Sequence, residues 1–121
     1  MFTTKYVPKP CEKAGKEKQK FTGHVVLRVP SSTEKLVMLE QIGVEFEENG
    51  EMKPLQTTKL STLKKMVEAS KDFFQEVNIK RLEDGKEFKS FDELNYDDSC
   101  LAILTDVAAQ MFNGGIKISK N

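Results

Sequence analysis

Apolar and polar residues alternate in the first stretch of the chain that has the pattern of a folded segment. Phe21, Val25, Leu27 and Val29 lie on one side of this alternation. Successive side chains of a strand point to opposite faces, so the pattern predicts a β-strand with one buried face. Pro30 marks its end, because proline cannot donate a hydrogen bond to a neighbouring strand.

A helix is predicted directly after this strand, and both of its ends are marked. Ser31 can act as the N-cap, and Glu34 stands three residues later, which is the spacing of a capping box. Gly43 follows the last turn, where a residue in the left-handed conformation commonly ends a helix. The segment between the two ends therefore predicts a short helix.

Two hairpins are predicted from turn dipeptides between apolar runs. Asn49-Gly50 follows an alternation of apolar residues with glutamates, and Pro54 limits how far the return strand extends. Asp84-Gly85 separates a second pair of short apolar runs in the same way. We expect both pairs of strands to be antiparallel.

A second helix is predicted from Ser61 to about Gln75. Its apolar residues share one side of the helical projection, and its lysines and acidic residues lie outside that side. The pattern is typical of a surface helix with a single buried face. The residues predicted to be buried are Leu60, Leu63, Met66, Val67, Phe73 and Phe74.

The last helix is the least polar segment of the chain. Asp97 or Asp98 is its predicted N-cap, it continues to Phe112, and Asp106 is the only charged residue inside it. A helix with so few polar residues avoids water on all sides. It is therefore either the central core helix or a helix whose outer face meets another subunit or a partner.

These elements predict a small single domain of the α+β class, with antiparallel β-hairpins packed against about three α-helices. The chain has 121 residues, enough for one hydrophobic core. We assign residues 1–20 to a flexible basic arm, residues 21–113 to the domain and residues 114–121 to a flexible tail. Docking of residues 1–8 on the domain is an alternative, because they include Phe2, Tyr6 and Val7.

Charge is unevenly distributed although the net charge is zero. Residues 1–20 contain six lysines and two glutamates, so the remainder of the chain is acidic. An acidic body has no electrostatic attraction for a nucleic-acid backbone, and nucleic-acid binding would depend on the arm. The arm contains no arginine, and residues 9–20 contain no aromatic residue for stacking on bases. A solvated arm is the interpretation we favour.

No residue pattern in the chain predicts catalysis, a metal or a cofactor. His24 is the only histidine and lies in a predicted strand without a sequence-defined partner, so a structural role is the simpler interpretation. Cys11 and Cys100 have no metal-ligand spacing, and we expect two reduced thiols. The chain has neither a long apolar run nor the apolar segment of a signal peptide. We expect a soluble intracellular protein without enzymatic activity.

Four acidic residues cluster before the last helix, at Asp92, Glu93, Asp97 and Asp98. Carboxylates can hold Ca²⁺ or Mg²⁺, but the register of an EF-hand loop is absent. Carboxylates also complement a helix N-terminus. Helix capping is the favoured interpretation, and a partner-facing acidic patch and a metal site are the alternatives.

The order of elements resembles that of the tail assembly chaperones of long-tailed, siphovirus-type bacteriophages. The resemblance covers roughly residues 21–115 and is closest in the stretch "LEDGKEFKSFDEL". It implies a non-enzymatic α+β domain in the host cytoplasm, which associates with itself and coats the helical tape measure protein until tail tube subunits replace it. No residue role can be transferred position by position.

The resemblance makes the last helix the first place to look for a partner. The hypothesised partner-binding residues are Ala102, Thr105, Ala109, Met111 and Phe112, although Met111 and Phe112 also suit a core. Two alternatives remain, a structural phage tail protein and a small regulator that binds nucleic acid through its basic arm.

The C-terminal stretch "GGIKISKN" has an interpretation that depends on the same resemblance. Members of the family are often made in a short form and a frameshifted long form. Ser119, Lys120 and Asn121 can be encoded by codons that permit a minus-one ribosomal slip. We therefore predict that the tail continues into a second domain in a longer product.

Overall fold

A four-stranded antiparallel sheet and four helices form a small α+β domain, which confirms the predicted fold class. The computed structural model describes residues 2–12, 19–43, 48 and 60–112. The strands, in the spatial order β1-β2-β3-β4, are Thr3–Tyr6, Phe21–Arg28, Phe74–Arg81 and Glu87–Phe88. The helices are α1 (Ser32–Gln41), α2 (Leu60–Ser70), α3 (Phe91–Asn95) and α4 (Leu101–Phe112).

The strand β2 lies between β1 and β3 in the sheet, and it has the buried face that its alternating pattern predicts. Val25 and Leu27 are fully buried, and the intervening residues are partly exposed. Gly23 has a φ of 119°, and a Cβ atom there would come within 1.9 Å of the carbonyl oxygen of Asn78 on β3. Glycine is required here because β2 and β3 approach each other too closely for a side chain.

The helix α1 has the ends that the sequence predicts. The Ser31 hydroxyl accepts a hydrogen bond from the Glu34 amide at 3.1 Å, and the Glu34 carboxylate accepts one from the Ser31 amide at 3.2 Å. Arg28 donates to the same carboxylate at 2.8 Å, which ties the end of β2 to the start of α1. Gly43 has a φ of 80° after the last turn, so the predicted capping is confirmed at both ends.

The second hairpin is confirmed, and the helix before it is shorter than predicted. The strands β3 and β4 pair as antiparallel neighbours, with Ile79 opposite Phe88. The helix α2 ends at Ser70, a 3₁₀ turn follows, and Phe74 begins β3. The predicted helix to Gln75 was therefore wrong over its last turn, because "FF" continues the helical pattern and also begins the alternation of the strand. The predicted hairpin at Asn49-Gly50 lies outside the described residues.

The start of the chain differs from the predicted flexible arm. Residues 3–6 form the edge strand β1, which pairs with β2 in the register Thr3 opposite Arg28. A 3₁₀ turn follows at Lys9–Cys11, and the Cys11 side chain is buried. The polar composition of residues 9–20 does not extend to β1, and strand pairing uses backbone groups, which composition does not report. The rest of the predicted arm lies partly outside the described residues, and so does the whole predicted tail at 114–121.

The helices and the sheet share one core. Val25, Leu27, Val77, Ile79 and Phe88 from the sheet are buried together with side chains of all four helices. The last helix contributes the largest group, namely Ile103, Leu104, Val107, Ala108, Met111 and Phe112. The interpretation of α4 as the central core helix is therefore confirmed for this face.

Candidate functional site

The helices α2, α3 and α4 border an apolar groove of about 610 Å³. One wall is a single face of α2 and the turn after it, at the spacing i, i+3, i+4, i+7, i+8 and i+11. Its residues are Leu60, Leu63, Lys64, Val67, Glu68 and Lys71. We call this cavity the α2–α4 groove.

The opposite wall and the floor of the groove come from α3 and α4. Phe91 and Leu104 are buried and close the bottom, and Leu101 and Thr105 form the α4 side. The ring of Phe91 packs edge-on against Phe74, with the ring centroids 5.1 Å apart. This contact fixes α3 against the start of β3, so the floor of the groove belongs to the rigid core.

Two large apolar side chains at the groove are exposed to solvent. Leu60 is 81% exposed and Leu101 is 60% exposed, one on each wall. Leu63 and Val67 are only partly buried against the core. Covering this apolar surface with another apolar surface would stabilise a complex by roughly 25 cal/mol per Å² buried. Exposed apolar patches of this type are typical of binding sites.

The upper edge of the groove carries charges of both signs. Lys64, Glu68 and Lys71 lie on the α2 side. The Lys71 ammonium is 3.6 Å from a carboxylate oxygen of Asp92 on α3, an ion pair that joins the two walls at one end. An apolar floor with charged edges can orient a bound segment as well as hold it.

The side of α4 that contains Asp106 is occupied by the N-terminal segment. The Asp106 carboxylate accepts a hydrogen bond from the Tyr6 hydroxyl at 2.7 Å and another from the Lys9 amide at 2.9 Å. Burial and the neighbouring carboxylate raise the pKa of Tyr6 above its usual value. The only charge on α4 therefore holds β1 and the turn after it against the core.

A polar cluster around Arg81 resembles a site but is saturated by internal contacts. The guanidinium donates to Asp84 at 2.7 Å, to Asp97 at 2.9 Å and to Ser99 at 2.8 Å. Hydrogen bonds from Ser99, followed by Arg81, lower the pKa of Asp97 to about 2. This cluster joins the β3–β4 turn to the residues just before α4. Its hydrogen bonds are made within the chain, so a structural role explains them and no ligand needs to be invoked.

Two of the four acidic residues before α4, Glu93 and Asp97, take part in helix capping, as the favoured interpretation predicts, whereas Asp92 forms an ion pair with Lys71. Ser90 caps α3 by accepting from the Glu93 amide at 3.2 Å, while Glu93 accepts from the Lys89 amide at 2.6 Å. Asp97 accepts from the Ser99 amide at 3.0 Å at the start of the last helical segment. Within the described part of the chain, no group of three His, Cys, Asp or Glu side chains is placed to hold a metal ion.

The five predicted partner-binding residues have different surroundings. Thr105 lines the α2–α4 groove. Ala102 is exposed but is not among the groove residues, and Ala109 is partly buried against the core. Met111 and Phe112 are 5% and 3% exposed and belong to the core, so as placed they offer almost no surface to a partner.

The α2 wall was not predicted from the sequence, because the helical periodicity of Leu60, Leu63 and Val67 predicts that all three are buried. Periodicity shows that residues share a face, but it does not show whether another element of the chain covers that face. The sequence does contain one indication of the groove. Lys64, Glu68 and Lys71 flank the same apolar face of α2, and charges beside an apolar face indicate that its edge is exposed.

The single histidine and the two cysteines have structural surroundings. His24 is partly exposed on β2, and desolvation and the nearby Lys5 lower its pKa. Burial raises the pKa of Cys11 to about 12 and also raises that of Cys100. Both thiols are buried, and a raised pKa disfavours the reactive thiolate form.

Comparisons with protein-family models, with curated proteins and with solved structures found no match to this chain. A search of the described helices found none that is both long enough and apolar enough to cross a membrane.

Proposed function

We propose that this chain is a non-enzymatic phage tail assembly chaperone, which associates with itself and holds a helical segment of the tape measure protein in the host cytoplasm. The resemblance in the order of elements suggests the family. The α2–α4 groove is the observation that carries the proposal, because it provides a surface that can take an apolar helix.

The form of the groove suits a helix better than an extended peptide. Its walls are helices, and its α2 wall runs from Leu60 to Lys71, a separation of eleven residue steps or about 16 Å at 1.5 Å per residue. A helix that docks in such a groove uses apolar anchors at i, i+3, i+4 and i+7. A tape measure protein, as a long helix with apolar stripes, would present such anchors repeatedly.

The expected strength of the contact also suits a chaperone. A short groove with two exposed leucines provides a modest apolar area, so a single contact is weak. Many copies along one helical chain would still hold it together, because linked contacts add in avidity. Tail tube subunits could then displace the copies one by one.

The test is co-expression of the full chain with a tape measure segment from the same genome, followed by measurement of the soluble fraction and of the mass of the complex. We expect the wild-type chain to keep the segment soluble. The variant Leu60→Glu/Leu101→Glu places two charges in the groove and should lose the segment. Tyr96→Ser is the matched control, because Tyr96 is 88% exposed and is not a groove residue.

The alternative of a structural tail protein makes a different prediction. A structural protein would be present in finished phage particles, whereas a chaperone would be absent from them. Mass spectrometry of purified particles distinguishes the two. A wild-type chain that leaves the segment insoluble would contradict the proposed site. So would a Leu60→Glu/Leu101→Glu variant that binds the segment as well as the wild type does.

A further inference from the structure

The helix α1 carries an exposed apolar stripe that differs from its buried face. Thr33, Leu36, Val37 and Glu40 are exposed at the spacing i, i+3, i+4 and i+7. Leu36 is 55% exposed and Val37 is 49% exposed, whereas Met38 and Leu39 on the other side are in the core. Leu36 and Val37 therefore occupy the two central positions of the i, i+3, i+4, i+7 spacing at which a helix presents anchors to a groove.

The stripe and the α2–α4 groove lie on different surfaces of the chain. The helix α2 packs against α1 as well as against α4. A separate cavity on the α1 side of α2 is lined by Gln41, Lys65 and Ala69, none of which lines the groove. No residue of α1 lines the groove either. A chain can therefore use its stripe with one neighbour and its groove with another.

We propose that the α1 stripe of one copy docks in the α2–α4 groove of a second copy, with Leu36 and Val37 between Leu60 and Leu101 and with Glu40 beside Lys64. The lengths agree, because α1 has ten residues, or about 15 Å, and the α2 wall is about 16 Å long. The charges agree as well, because Glu40 ends the stripe and Lys64 borders the groove.

This contact is heterologous, since it joins two different surfaces. Heterologous contacts generate rings or open chains of copies instead of closed two-fold dimers. The inference also has a consequence that rests on the proposed function. If a tape measure helix uses the same groove, each bound helix displaces one α1, so self-association and partner binding compete.

The first experiment measures the mass of the full chain by light scattering across a concentration series. We expect the wild-type mass to rise beyond that of a dimer. The stripe variant Leu36→Glu/Val37→Glu and the groove variant Leu60→Glu/Leu101→Glu should each remain at the monomer mass of 13.7 kDa. Tyr96→Ser removes a larger exposed side chain elsewhere and should associate like the wild type.

Mixing the two variants is the decisive step. The stripe variant retains an intact groove and the groove variant retains an intact stripe, so an equimolar mixture should form a 1:1 dimer and nothing larger. A wild-type monomer at all concentrations would overturn the inference. So would a stripe variant that associates normally, or a mixture that stays monomeric although both variants show cooperative thermal unfolding.

A charge exchange tests the same contact without changing apolar residues, so it remains informative if a double variant folds poorly. Glu40→Lys should weaken association by roughly two- to fivefold, the range of a surface ion pair. Combining Glu40→Lys with Lys64→Glu in the same chain should restore it. No weakening, or no restoration, would overturn the pairing of Glu40 with Lys64.

The tape measure segment separates this inference from the proposed function. The stripe variant should still bind the segment, because its groove is intact, and should bind it more tightly than the wild type does. Self-association without binding of the segment would contradict the proposed function alone. Binding of the segment by a wild-type chain that never associates would contradict this inference alone.

Discussion

The helices α2 and α4 both have apolar faces, but these faces have opposite surroundings. On α4, six apolar side chains are buried, and the only charged residue, Asp106, accepts hydrogen bonds from the N-terminal segment. On α2, only Met66 and Ser70 are fully buried, and Leu60 is largely exposed. The more apolar helix is therefore mainly core, and the less apolar helix forms a wall of the candidate site.

Apolar content alone therefore does not identify a binding surface. A strongly apolar helix requires cover, and a folded domain usually supplies that cover itself. An apolar side chain that the domain leaves exposed is more informative, especially when charges flank it. Experiments that truncate side chains on each helix can distinguish the two roles.

Truncation of a side chain should change the free energy of unfolding far more on α4, where the apolar face is buried, than at the exposed start of α2. Phe112→Ala should lower the free energy of unfolding by about 3–5 kcal/mol, because it leaves a cavity in the core. Leu60→Ala should change the free energy by no more than about 0.5 kcal/mol, because Leu60 already contacts water. Denaturant unfolding at a concentration where both variants are monomeric gives both values. Equal effects would contradict the assignment of α4 to the core and α2 to the surface.

The second effect concerns the charge on α4. Tyr6→Phe removes the hydrogen bond to Asp106 and should cost about 1–2 kcal/mol, since the acceptor is charged and partly buried. Tyr6 has a raised pKa in the folded state, so its contribution is present below the ordinary pKa near 10 and is lost as the pH rises above it. The stability difference between the wild type and Tyr6→Phe should therefore shrink in alkali. Tyr96→Phe on the exposed surface is the control, and an equal cost there would contradict the prediction.

The sequence predicted the parts of the fold that local chemistry determines. Ser31 and Glu34 cap α1 because their side chains reach neighbouring amides in any context, and Asp84-Gly85 permits the positive φ that the second hairpin needs. Alternation in β2 followed from the pleat of a strand. These features depend on residues within a few positions of each other.

The features that the sequence did not predict depend on distant contacts. The strand β1 forms because its backbone pairs with β2. The Tyr6 hydroxyl donates a hydrogen bond to Asp106, which lies one hundred residues away in the chain. Among the described residues, α3, which has only five residues, and the start of α4 leave one side of α2 uncovered, and this forms the groove. Periodicity along one segment contains no information about which neighbour covers it.

A smaller effect is expected at the N-terminal end of α4, in acid. The pKa of Asp97 is lowered to about 2, first by hydrogen bonds from Ser99 and then by Arg81. A lowered pKa stabilises the fold above the ordinary value near 4, and this contribution is lost as the pH falls toward 2. Ser99→Ala removes the largest cause, so the pKa of Asp97 should rise toward its ordinary value in a carboxyl NMR titration. An unchanged pKa would show that the Ser99 amide and Arg81, which both remain in the variant, dominate instead.

The smallest expected effect tests whether the exposed side of α4 is an interface outside the groove. Ala102→Lys changes an exposed helical residue to another good helix former, so stability should change by no more than about 0.5 kcal/mol and self-association should be unaffected. Thr105→Lys, three residues later, places the same charge in the groove wall and should weaken self-association. Light scattering of both variants compares the two positions directly. If Ala102→Lys dissociates the copies and Thr105→Lys does not, the contact surface is the outer face of α4 and the groove is not the site.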